Sequence, residues 1–498
     1  MPIQADRTDF LLDKVINIKG MTEKEFDSFI SNTSNVLVAP AGYGKTHTIA
    51  SSVKALRTKG INRILVLTHT NAGIASIREK FKKESVPQNG VTVCTIAGFL
   101  QRIVNSLSKE RMPDESDSDA FYTKLYECAL DLFQHNTILK AILECSYEHI
   151  FVDEFQDCNK PQYDIVKELC NWTVCVHLLL DPLQTIFDFE SNHPNYLDFE
   201  SRCQRQTPNK LFRLDIPYRW RNANSPLERL VPIWRKTIQD ALNQGLRSID
   251  LSKLPGVMYV TDTKENIRMR INKYVNNSPS ILVLHSLCQA NNIKARGAIC
   301  ASTGYRLRLI ESIDHPDFYS IAAKIDDELQ NNSLVESIVH EIMIAAGTSK
   351  NLLQAWIKPN RLVTKHSDLD LATKLSNAIK LPSKKLAIVE ALNVLTRDIK
   401  LRVQRIELLT DIKLAVLSSE TSSKTIQQEI EQRRNLARVQ GRQLHGKVIG
   451  TTLLTKGLEA DTVLLINPTI LFRYDNGLKH LYVALTRAVN RVILIDTE

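Results

Sequence analysis

The 498-residue chain has nine cysteines but no Cys-x-x-Cys pair, and only 17 glycines and 17 prolines. Without paired cysteine spacings, zinc and iron-sulfur sites are not expected, and the cysteines are interpreted as free, mostly buried thiols. Hydrophobic residues make up 43% of the chain, which together with the low glycine and proline content excludes collagen-like, low-complexity and disordered classes. The length predicts about three domains, or two large domains with insertions.

Long apolar runs are also missing. No run approaches the roughly 18 to 20 residues that a membrane-spanning helix requires. The first residues, Met1 to Asp6, lack the basic-then-apolar pattern of a secretory signal peptide. We therefore expect a cytoplasmic protein without a membrane partner.

The net charge of +9 is unevenly distributed along the chain. Residues 351–450 contain 18 Lys and Arg against 9 Asp and Glu, and the remaining residues balance at 46 against 46. A basic segment in an otherwise neutral chain predicts contact with a polyanion such as nucleic acid. The alternative is a solvated helical face, which charge alone does not distinguish from a binding surface.

Short apolar runs rich in β-branched residues alternate with helical stretches, which is typical of buried parallel strands in an α/β fold. Five runs lie in the first half and four in the second, so two sheets are predicted. A long helical stretch separates Leu284 from Lys447, and a shorter polar one covers about Gln101 to Leu143. The predicted strands are Asn35–Val38, Arg63–Leu67, Val91–Val93, His149–Val152, Val174–Leu180, Gly256–Val260, Ser280–Leu284, Thr462–Ile466 and Arg491–Ile495.

A glycine-containing loop follows the first predicted strand and precedes a helical stretch. In such a loop, backbone N–H groups and the helix N-terminus can hold a β-phosphate. Lys45 can reach the β- and γ-phosphates, and the Thr46 hydroxyl can bind Mg²⁺. Ala39 stands where the general pattern has its first glycine. The loop is Ala39-Pro40-Ala41-Gly42-Tyr43-Gly44-Lys45-Thr46.

An acidic pair, Asp153-Glu154, comes directly after the fourth predicted strand. The carboxyl end of a buried strand is where an open α/β sheet places its ligands. Asp153 can hold Mg²⁺, and Glu154 can orient and deprotonate the attacking water in phosphoryl transfer. The sequence thus predicts an ATP and Mg²⁺ site formed by the loop and this pair.

The order of seven segments resembles that of superfamily 1 helicases of the UvrD/Rep type, from about Met21 to the C-terminus. Besides the loop, Leu67–Ala72 is similar to the family's single-strand-contacting motif, Asp153–Asp157 to its Asp-Glu-x-Gln-Asp box and Leu180–Phe187 to its Gln-Ser-Ile-Tyr motif. Leu214–Arg219 is similar to the Asn-Tyr-Arg motif, Thr451–Glu459 to the Lys-Gly-Leu-Glu motif and Tyr482–Ala488 to the last motif.

The resemblance implies two RecA-like P-loop domains, each with a helical insertion. It implies a first domain formed by residues 1–100 and 144–208, interrupted by a small helical insertion at 101–143. The second domain is expected at 209–290 and 447–498, interrupted by a larger, basic helical insertion at 291–446. ATP is expected between the two domains, with Lys45 from the first and Arg219 and Arg487 from the second.

Individual roles also follow from the resemblance. Gln184 is expected to sense the γ-phosphate, Tyr218 to stack on adenine, and Glu459 to lie near the ribose. Arg219 and Arg487 are expected to touch the γ-phosphate, and the fixed, permanently charged donor fork of arginine suits transition-state stabilisation.

For nucleic acid, the resemblance implies contacts from His69 and Asn71 and from an aromatic residue at the end of the Gln-Ser-Ile-Tyr motif or just after it. Phe187 and Phe189 are the candidates, because base stacking on an aromatic ring needs no particular base sequence. Core packing is the alternative for Phe187. His69 stands where the family usually has phenylalanine, so it is either a stacking or a hydrogen-bonding residue.

Departures from the family pattern affect three expectations. Glu25 replaces the glutamine that reads adenine, and an ionised glutamate only accepts hydrogen bonds, so adenine specificity is open. Leu453 replaces a histidine that couples the ATP and DNA sites. The chain ends 11 residues after Arg487 (498 minus 487), whereas relatives continue into a hairpin that helps to split the duplex.

The leading function implied is an ATP-dependent helicase or translocase that moves 3′ to 5′ on single-stranded DNA and unwinds 3′-tailed duplexes. The alternative is a DNA-stimulated ATPase subunit that senses DNA ends and switches a partner endonuclease. The small insertion and short C-terminus resemble the helicase-like subunit of Gabija antiviral systems. General DNA repair is the competing context.

Overall fold

The computed structural model describes residues 20–31, 34–110, 118–172, 174–186, 211–286, 293–312, 315–363, 367–440 and 446–497. Contacts within the chain divide it into two units, Met1–Gln239 and Asp240–Glu498. Within the described residues, no helix is both long and apolar enough to cross a membrane.

The first unit alternates strands with helices. Its strands are β1 (Asn35–Val38), β2 (Ile64–Thr68), β3 (Val91–Thr95), β4 (His149–Val152), β5 (Cys175–Leu180) and β6 (Leu211–Arg213). Its helices are α1 (Glu23–Phe29), α2 (Lys45–Thr58), α3 (Asn71–Lys83), α4 (Ile96–Leu107), α5 (Ser118–His135), α6 (Thr137–Ser146), α7 (Lys160–Cys170), α8 (Tyr218–Asn222) and α9 (Val231–Asn243), which continues into the second unit.

The six described strands of the first unit form one sheet in the order β3-β2-β4-β5-β1-β6, and every pairing is parallel. Strands β1, β2, β4 and β5 are buried along their whole length, which explains their continuous apolar sequences. Because the strands are parallel, the carboxyl ends of the neighbours β4, β5 and β1 lie at one edge, where the phosphate loop leaves β1.

The second unit contains the strands β7 (Val257–Asp262), β8 (Ile281–His285), β9 (Arg308–Leu309), β10 (Ile357–Lys358), β11 (Arg361–Leu362), β12 (Lys447–Gly450), β13 (Ala460–Ile466) and β14 (Ala488–Thr497). Its further helices are α10 (Lys264–Asn277), α11 (Ile293–Ser302), α12 (Pro316–Gln330), α13 (Val335–Ala345), α14 (Lys350–Gln354), α15 (Leu369–Ile379), α16 (Lys384–Asn393), α17 (Ile406–Thr421), α18 (Ile426–Gln440) and α19 (Gly477–Leu485).

Six of these strands form a second parallel sheet in the order β7-β14-β13-β8-β12-β9, as far as the structure describes the chain. Between β9 and β12 the chain forms helices α12 to α18 and the small antiparallel hairpin β10–β11. These helices share their own apolar core, which includes Phe318, Ile342 and Ile412. The segment therefore packs as a helical layer with a separate core.

The predicted α/β class and both parallel sheets are confirmed, and all nine predicted strands are present within a few residues of their expected bounds. Strands β6, β9, β10, β11 and β12 were not predicted, because they have only two to four residues and too little apolar sequence to stand out. Strand β6 pairs with β1, and the first unit, as divided by contacts, runs from Met1 to Gln239. Arg219, expected from the second sheet domain, therefore belongs to the first unit.

Candidate active site

Backbone hydrogen bonds hold the phosphate loop, one to the end of β5 and one within the loop. The Ala39 N–H donates to Leu180 O at 2.9 Å, and the Tyr43 N–H donates to Pro40 O at 3.1 Å. Gly42 and Gly44 have φ angles of 74° and 101°, a left-handed conformation that favours glycine. Helix α2 begins at Lys45, so the loop ends at a helix N-terminus, where backbone N–H groups favour an anion.

The Lys45 ammonium lies beside the acidic pair. Its Nζ is 2.6 Å from Glu154 Oε2 and 4.0 Å from Asp153 Oδ1. Burial would lower the pKa of Lys45, but the charges of Glu154 and Asp153 outweigh burial and raise it. Burial, opposed by Lys45, raises the pKa of Asp153 to about 7. The sheet thus brings together the two elements that the sequence placed about a hundred residues apart.

Glu154 is oriented by its backbone and by Gln156. Its φ of 53° is in the left-handed region, its N–H donates to Asp153 Oδ1 at 3.0 Å, and its Oε2 accepts from Gln156 Nε2. A non-glycine residue held in this conformation requires support from its surroundings and is common at functional sites. The carboxylate is therefore fixed at the end of β4, close to Lys45.

Asp181 follows β5 and connects several parts of the site. Its Oδ2 accepts from the Ala41 N–H at 3.1 Å and from Gln184 Nε2 at 2.9 Å. Its own N–H donates to Gln156 Oε1 at 3.1 Å. Its Oδ1 accepts from Arg235 Nη1 at 2.7 Å. The predicted γ-phosphate residue Gln184 is thereby tied to the phosphate loop.

Helix α8 packs directly against the phosphate loop. The Arg219 N–H donates to Gly42 O at 3.0 Å, and a Cβ atom at Gly42 would lie 2.7 Å from the buried Trp220 ring. A Cβ atom at Gly44 would lie 3.8 Å from the Tyr218 ring, and burial raises the pKa of that tyrosine. Tyr218 and Arg219 therefore lie at the loop from which the sequence analysis separated them.

The residues predicted to hold Mg²⁺ provide oxygen ligands. Within the described part of the chain, no group of three or more His, Cys, Asp and Glu side chains is arranged to hold a metal ion. Mg²⁺ commonly uses only one or two protein carboxylates and keeps water and phosphate ligands. The buried Asp153 carboxyl group and the Thr46 hydroxyl in the first turn of α2 fit this donor set.

Two predicted site residues lie in the second unit. Arg487 is 3% exposed, and its guanidinium donates to Val483 O at 3.1 Å and to Thr486 Oγ1 at 3.3 Å. Glu459 is exposed, just before β13. The described contacts of Arg487 hold it against helix α19 of its own unit.

The predicted DNA-contacting residues are only partly described. His69 follows β2, and its Nε2 lies 3.5 Å from Cys158 Sγ. Asn71 begins α3. The Asp153 N–H donates to Leu67 O at 2.8 Å, so the segment with His69 and Asn71 begins beside the acidic pair. Phe187 and Phe189 lie outside the described residues.

One surface interpretation needs correction, and Glu25 has a structural role. Glu25 caps α1, because its Oε2 accepts from the Thr22 N–H and hydroxyl at 2.8 Å. The backbone bond to Thr22 lowers the pKa of Glu25. The spacing of Arg433, Arg434 and Arg438 in the basic segment predicts that a helix presents all three as one basic edge. This prediction is wrong for Arg434, whose side chain is 3% exposed and is paired with Glu407 and Asp411. The described cysteines are free thiols, as expected.

Sequence reasoning gave no role to Gln156, Asp181 and Arg235. The first two stand inside the quoted motifs, but their pairing is set by the fold. Arg235 had only a weak signal, since it lies four residues after Val231 at the edge of the apolar face of α9.

Two family models match the chain. Residues 22–115 and 115–204 match the UvrD/REP helicase N-terminal domain. Residues 449–495 match the UvrD-like helicase C-terminal domain. These ranges contain the phosphate loop, the acidic pair, Gln184, Glu459 and Arg487.

Curated relatives are similar to less than half of the chain. An ATP-dependent helicase/nuclease subunit of Lactococcus lactis subsp. cremoris (strain SK11) is 26% identical over 146 residues, which are 29% of this chain and 11% of that protein. Exonuclease/helicase subunit RexA of Lactococcus lactis subsp. cremoris (strain MG1363) is 27% identical over 129 residues, 25% of this chain and 11% of that protein. Putative ATP-dependent DNA helicase R568 of Acanthamoeba polyphaga mimivirus is 24% identical over 201 residues, 38% of this chain and 27% of that protein.

The aligned segments thus span 11% to 27% of these relatives' length. With two parallel α/β sheets and a match to a family model in each unit, the chain is similar to UvrD-type superfamily 1 helicases in both its N-terminal and its C-terminal part.

Proposed function

We propose that this protein is an ATP-dependent motor that moves 3′ to 5′ on single-stranded DNA and couples ATP hydrolysis to strand separation. The observation that carries the proposal is the cluster of Lys45, Asp153 and Glu154 at the carboxyl edge of the first sheet. A phosphate loop, a cation and two carboxylates within 4.0 Å of that cation are the parts that phosphoryl transfer to water requires.

In this proposal, Lys45 and the N-terminus of α2 bind the β- and γ-phosphates. Thr46 and Asp153 hold Mg²⁺, which when bound neutralises phosphate charge. Glu154 orients the attacking water and accepts its proton. Because Glu154 Oε2 is bonded to both Lys45 and Gln156, the arriving phosphates must draw Lys45 away before the carboxylate can serve as base.

Further residues complete the nucleotide site that we propose. Gln184 reports on the γ-phosphate, Arg219 and Arg487 stabilise charge on the transferring phosphoryl group, and Tyr218 stacks on the base. Glu459 contacts the ribose. The Glu25 carboxylate is engaged at the start of α1, so we expect nucleotide selection to depend on Tyr218 stacking more than on Glu25.

For the DNA track, we propose His69 and Asn71 as contacts next to the acidic pair, with Phe187 and Phe189 as stacking residues. The helical segments at 101–143 and 291–446 are proposed as the insertions of two RecA-like domains. The larger one carries the excess of positive charge, which favours binding to duplex phosphates.

A second candidate function is a regulatory ATPase subunit that senses DNA ends and switches a partner endonuclease. The names of two relatives favour it, because one is called a helicase/nuclease subunit, the other an exonuclease/helicase subunit. Antiviral defence of the Gabija kind and DNA repair are the two contexts proposed for such a partner.

Strand displacement separates the two functions. The protein is incubated with ATP, Mg²⁺ and duplexes that carry either a 3′ or a 5′ single-stranded tail, and ATPase is measured in parallel with single-stranded DNA. A 3′ to 5′ motor displaces the strand of the 3′-tailed duplex only. DNA-stimulated ATPase without displacement of either duplex would contradict the motor and favour the regulatory role.

A further inference from the structure

Asp181 is a fully buried carboxylate at the end of β5. Neutral groups donate three of its bonds: the Ala41 N–H at 3.1 Å, the Leu183 N–H at 3.3 Å and Gln184 Nε2 at 2.9 Å. The ion pair comes from Arg235 on α9, whose Nη1 is 2.7 Å from Asp181 Oδ1. The Arg235 side chain is 18% exposed, so water screens this pair only weakly.

A carboxylate taken out of water must be compensated by charge or by several hydrogen bonds. Arginine suits this task because its donor fork is rigid and permanently charged. Removing Arg235 would take away the guanidinium that pairs with the Asp181 carboxylate. Moving toward water, away from its present partners, would then lower the free energy of the carboxylate.

The partners of Asp181 belong to three parts of the candidate active site. Ala41 lies in the phosphate loop, and Gln184 is the proposed γ-phosphate residue. Gln156, which accepts the Asp181 N–H at 3.1 Å, donates to Glu154. Because Ala41 and Gln184 donate to its carboxylate, a shift of the Asp181 side chain disturbs the phosphate loop and the proposed γ-phosphate residue together.

We propose that Arg235 is a positioning residue for nucleotide hydrolysis, which fixes Asp181 and through it the phosphate loop and Gln184. In this proposal Arg235 acts through Asp181 and not by direct contact with the nucleotide. This inference rests on the proposed function, because it assigns a residue to the same nucleotide site. Tyr43 in the loop is 3% exposed, and burial raises its pKa to about 12, while nearby Arg235 lowers it and Asp181 raises it.

The test compares Arg235→Gln with Lys236→Gln, a charge-removing change at the next, exposed position of the same helix. We expect Arg235→Gln to lower the kcat of DNA-stimulated ATP hydrolysis about tenfold or more and to raise KM about threefold or less. Lys236→Gln should match the wild type. Equal kcat values for both variants would overturn the proposal.

A double-mutant cycle distinguishes positioning from general loss of structure. If Arg235 acts only through Asp181, adding Arg235→Gln to Asp181→Asn should lower kcat less than about twofold further, because the two losses share one cause. If the kcat loss of the double variant equalled the product of the two single losses, the proposal would be overturned. Arg235→Lys keeps the charge and is expected to retain at least about a third of the wild-type kcat. A loss as large as that of Arg235→Gln would contradict a role for the charge.

Equilibrium binding of a fluorescent ADP analogue, measured on the same samples, needs no turnover. We expect Arg235→Gln to weaken ADP binding about threefold in the wild-type background. Adding it to Asp181→Asn should weaken ADP binding little further, as for kcat. If the wild type binds ADP but hydrolyses no ATP with DNA, the proposed function fails while the ADP cycle still tests Arg235. A wild type that binds no ADP would overturn both.

Discussion

Lys45 Nζ lies 2.6 Å from Glu154 Oε2, so the cation of the phosphate loop and the proposed catalytic base are bonded to each other. The two residues lie at one sheet edge, after β1 and after β4, which are separated by β5. Their mutual attraction raises the pKa of Lys45 despite its burial. We expect the nucleotide phosphates to replace Glu154 as the partner of Lys45, which would couple nucleotide binding to release of the base.

Gly42→Ala should weaken nucleotide binding. The new Cβ atom would lie 2.7 Å from the buried Trp220 ring, and alanine would be strained at a φ of 74°. Strain of this kind costs about 1 to 3 kcal/mol, so we expect ADP affinity to fall about tenfold. Gly60→Ala is the control, because its φ is 85° but no atom lies within 4 Å of the added Cβ. Equal affinities of the two variants would contradict the packing of α8 on the loop.

Arg434→Gln should destabilise the second unit. The Arg434 side chain is 3% exposed, pairs with Glu407 and Asp411, and its guanidinium carbon lies 4.0 Å from the Phe318 ring centroid. Breaking a buried ion pair costs about 3 to 5 kcal/mol. We expect a loss of about 3 kcal/mol in the free energy of unfolding by urea. Lys424→Gln, at an exposed position, should change it by less than about 0.5 kcal/mol.

DNA binding by the basic helical segment is tested at exposed positions. Lys380, Arg397 and Lys400 are exposed, so neutral glutamine there removes charge without opening a core. Each lost phosphate contact should reduce the slope of log affinity against log salt concentration by about 0.7 to 0.9. We expect weaker binding to tailed duplex DNA with DNA-free ATPase unchanged. An unchanged salt slope would mean that the positive charge of this segment does not contact DNA phosphates, and that it is solvated or binds an acidic partner.

Stability should fall below neutral pH because of two buried histidines. His149 Nδ1 and His177 Nε2 are 2.9 Å apart in the first sheet. Burial lowers the pKa of His149 from 6.5 to about 4 and that of His177 well below 6.5. Since the folded pKa is below the unfolded one, the unfolded chain binds more protons in this window. Stability is therefore present above pH 6.5 and is lost as pH falls toward 4.

Each histidine contributes at most about 1.4 kcal/mol per pH unit to this loss. Thermal unfolding at pH 7 and pH 5 measures it, and we expect His149→Gln to reduce the drop in Tm between the two. His135→Gln is the control, because His135 is exposed. An equal drop in Tm in the His149→Gln and His135→Gln variants would contradict the assignment of this pH dependence to the buried histidines.

The sequence could predict the strands that are buried on both faces, because such strands are continuous apolar runs. It could also predict that Lys45 and Asp153 meet, since both follow strands of one parallel sheet. The short strand β6, which pairs with β1, gave no such signal. Tyr218 and Arg219, which follow it, lie in the first unit.

Long-range charge pairing could not be predicted. Arg235 is 54 residues from Asp181, and only the packing of α9 brings them together. Arg434 reads as part of a basic helix face, but its acidic partners Glu407 and Asp411 stand on α17, which packs beside α18. The charge of a segment is visible in sequence, whereas the pairing that buries a given arginine depends on tertiary structure.

The most direct test of the central claim compares the wild type with Glu154→Gln and Lys45→Ala in DNA-stimulated ATP hydrolysis, with ADP binding measured on the same samples. We expect both variants to lose at least about 100-fold in kcat. Glu154→Gln should still bind ADP, because only the water-activating group is lost, whereas Lys45→Ala should bind it more weakly. Substantial ATP hydrolysis by Glu154→Gln would contradict the assignment of this cluster as the hydrolytic site.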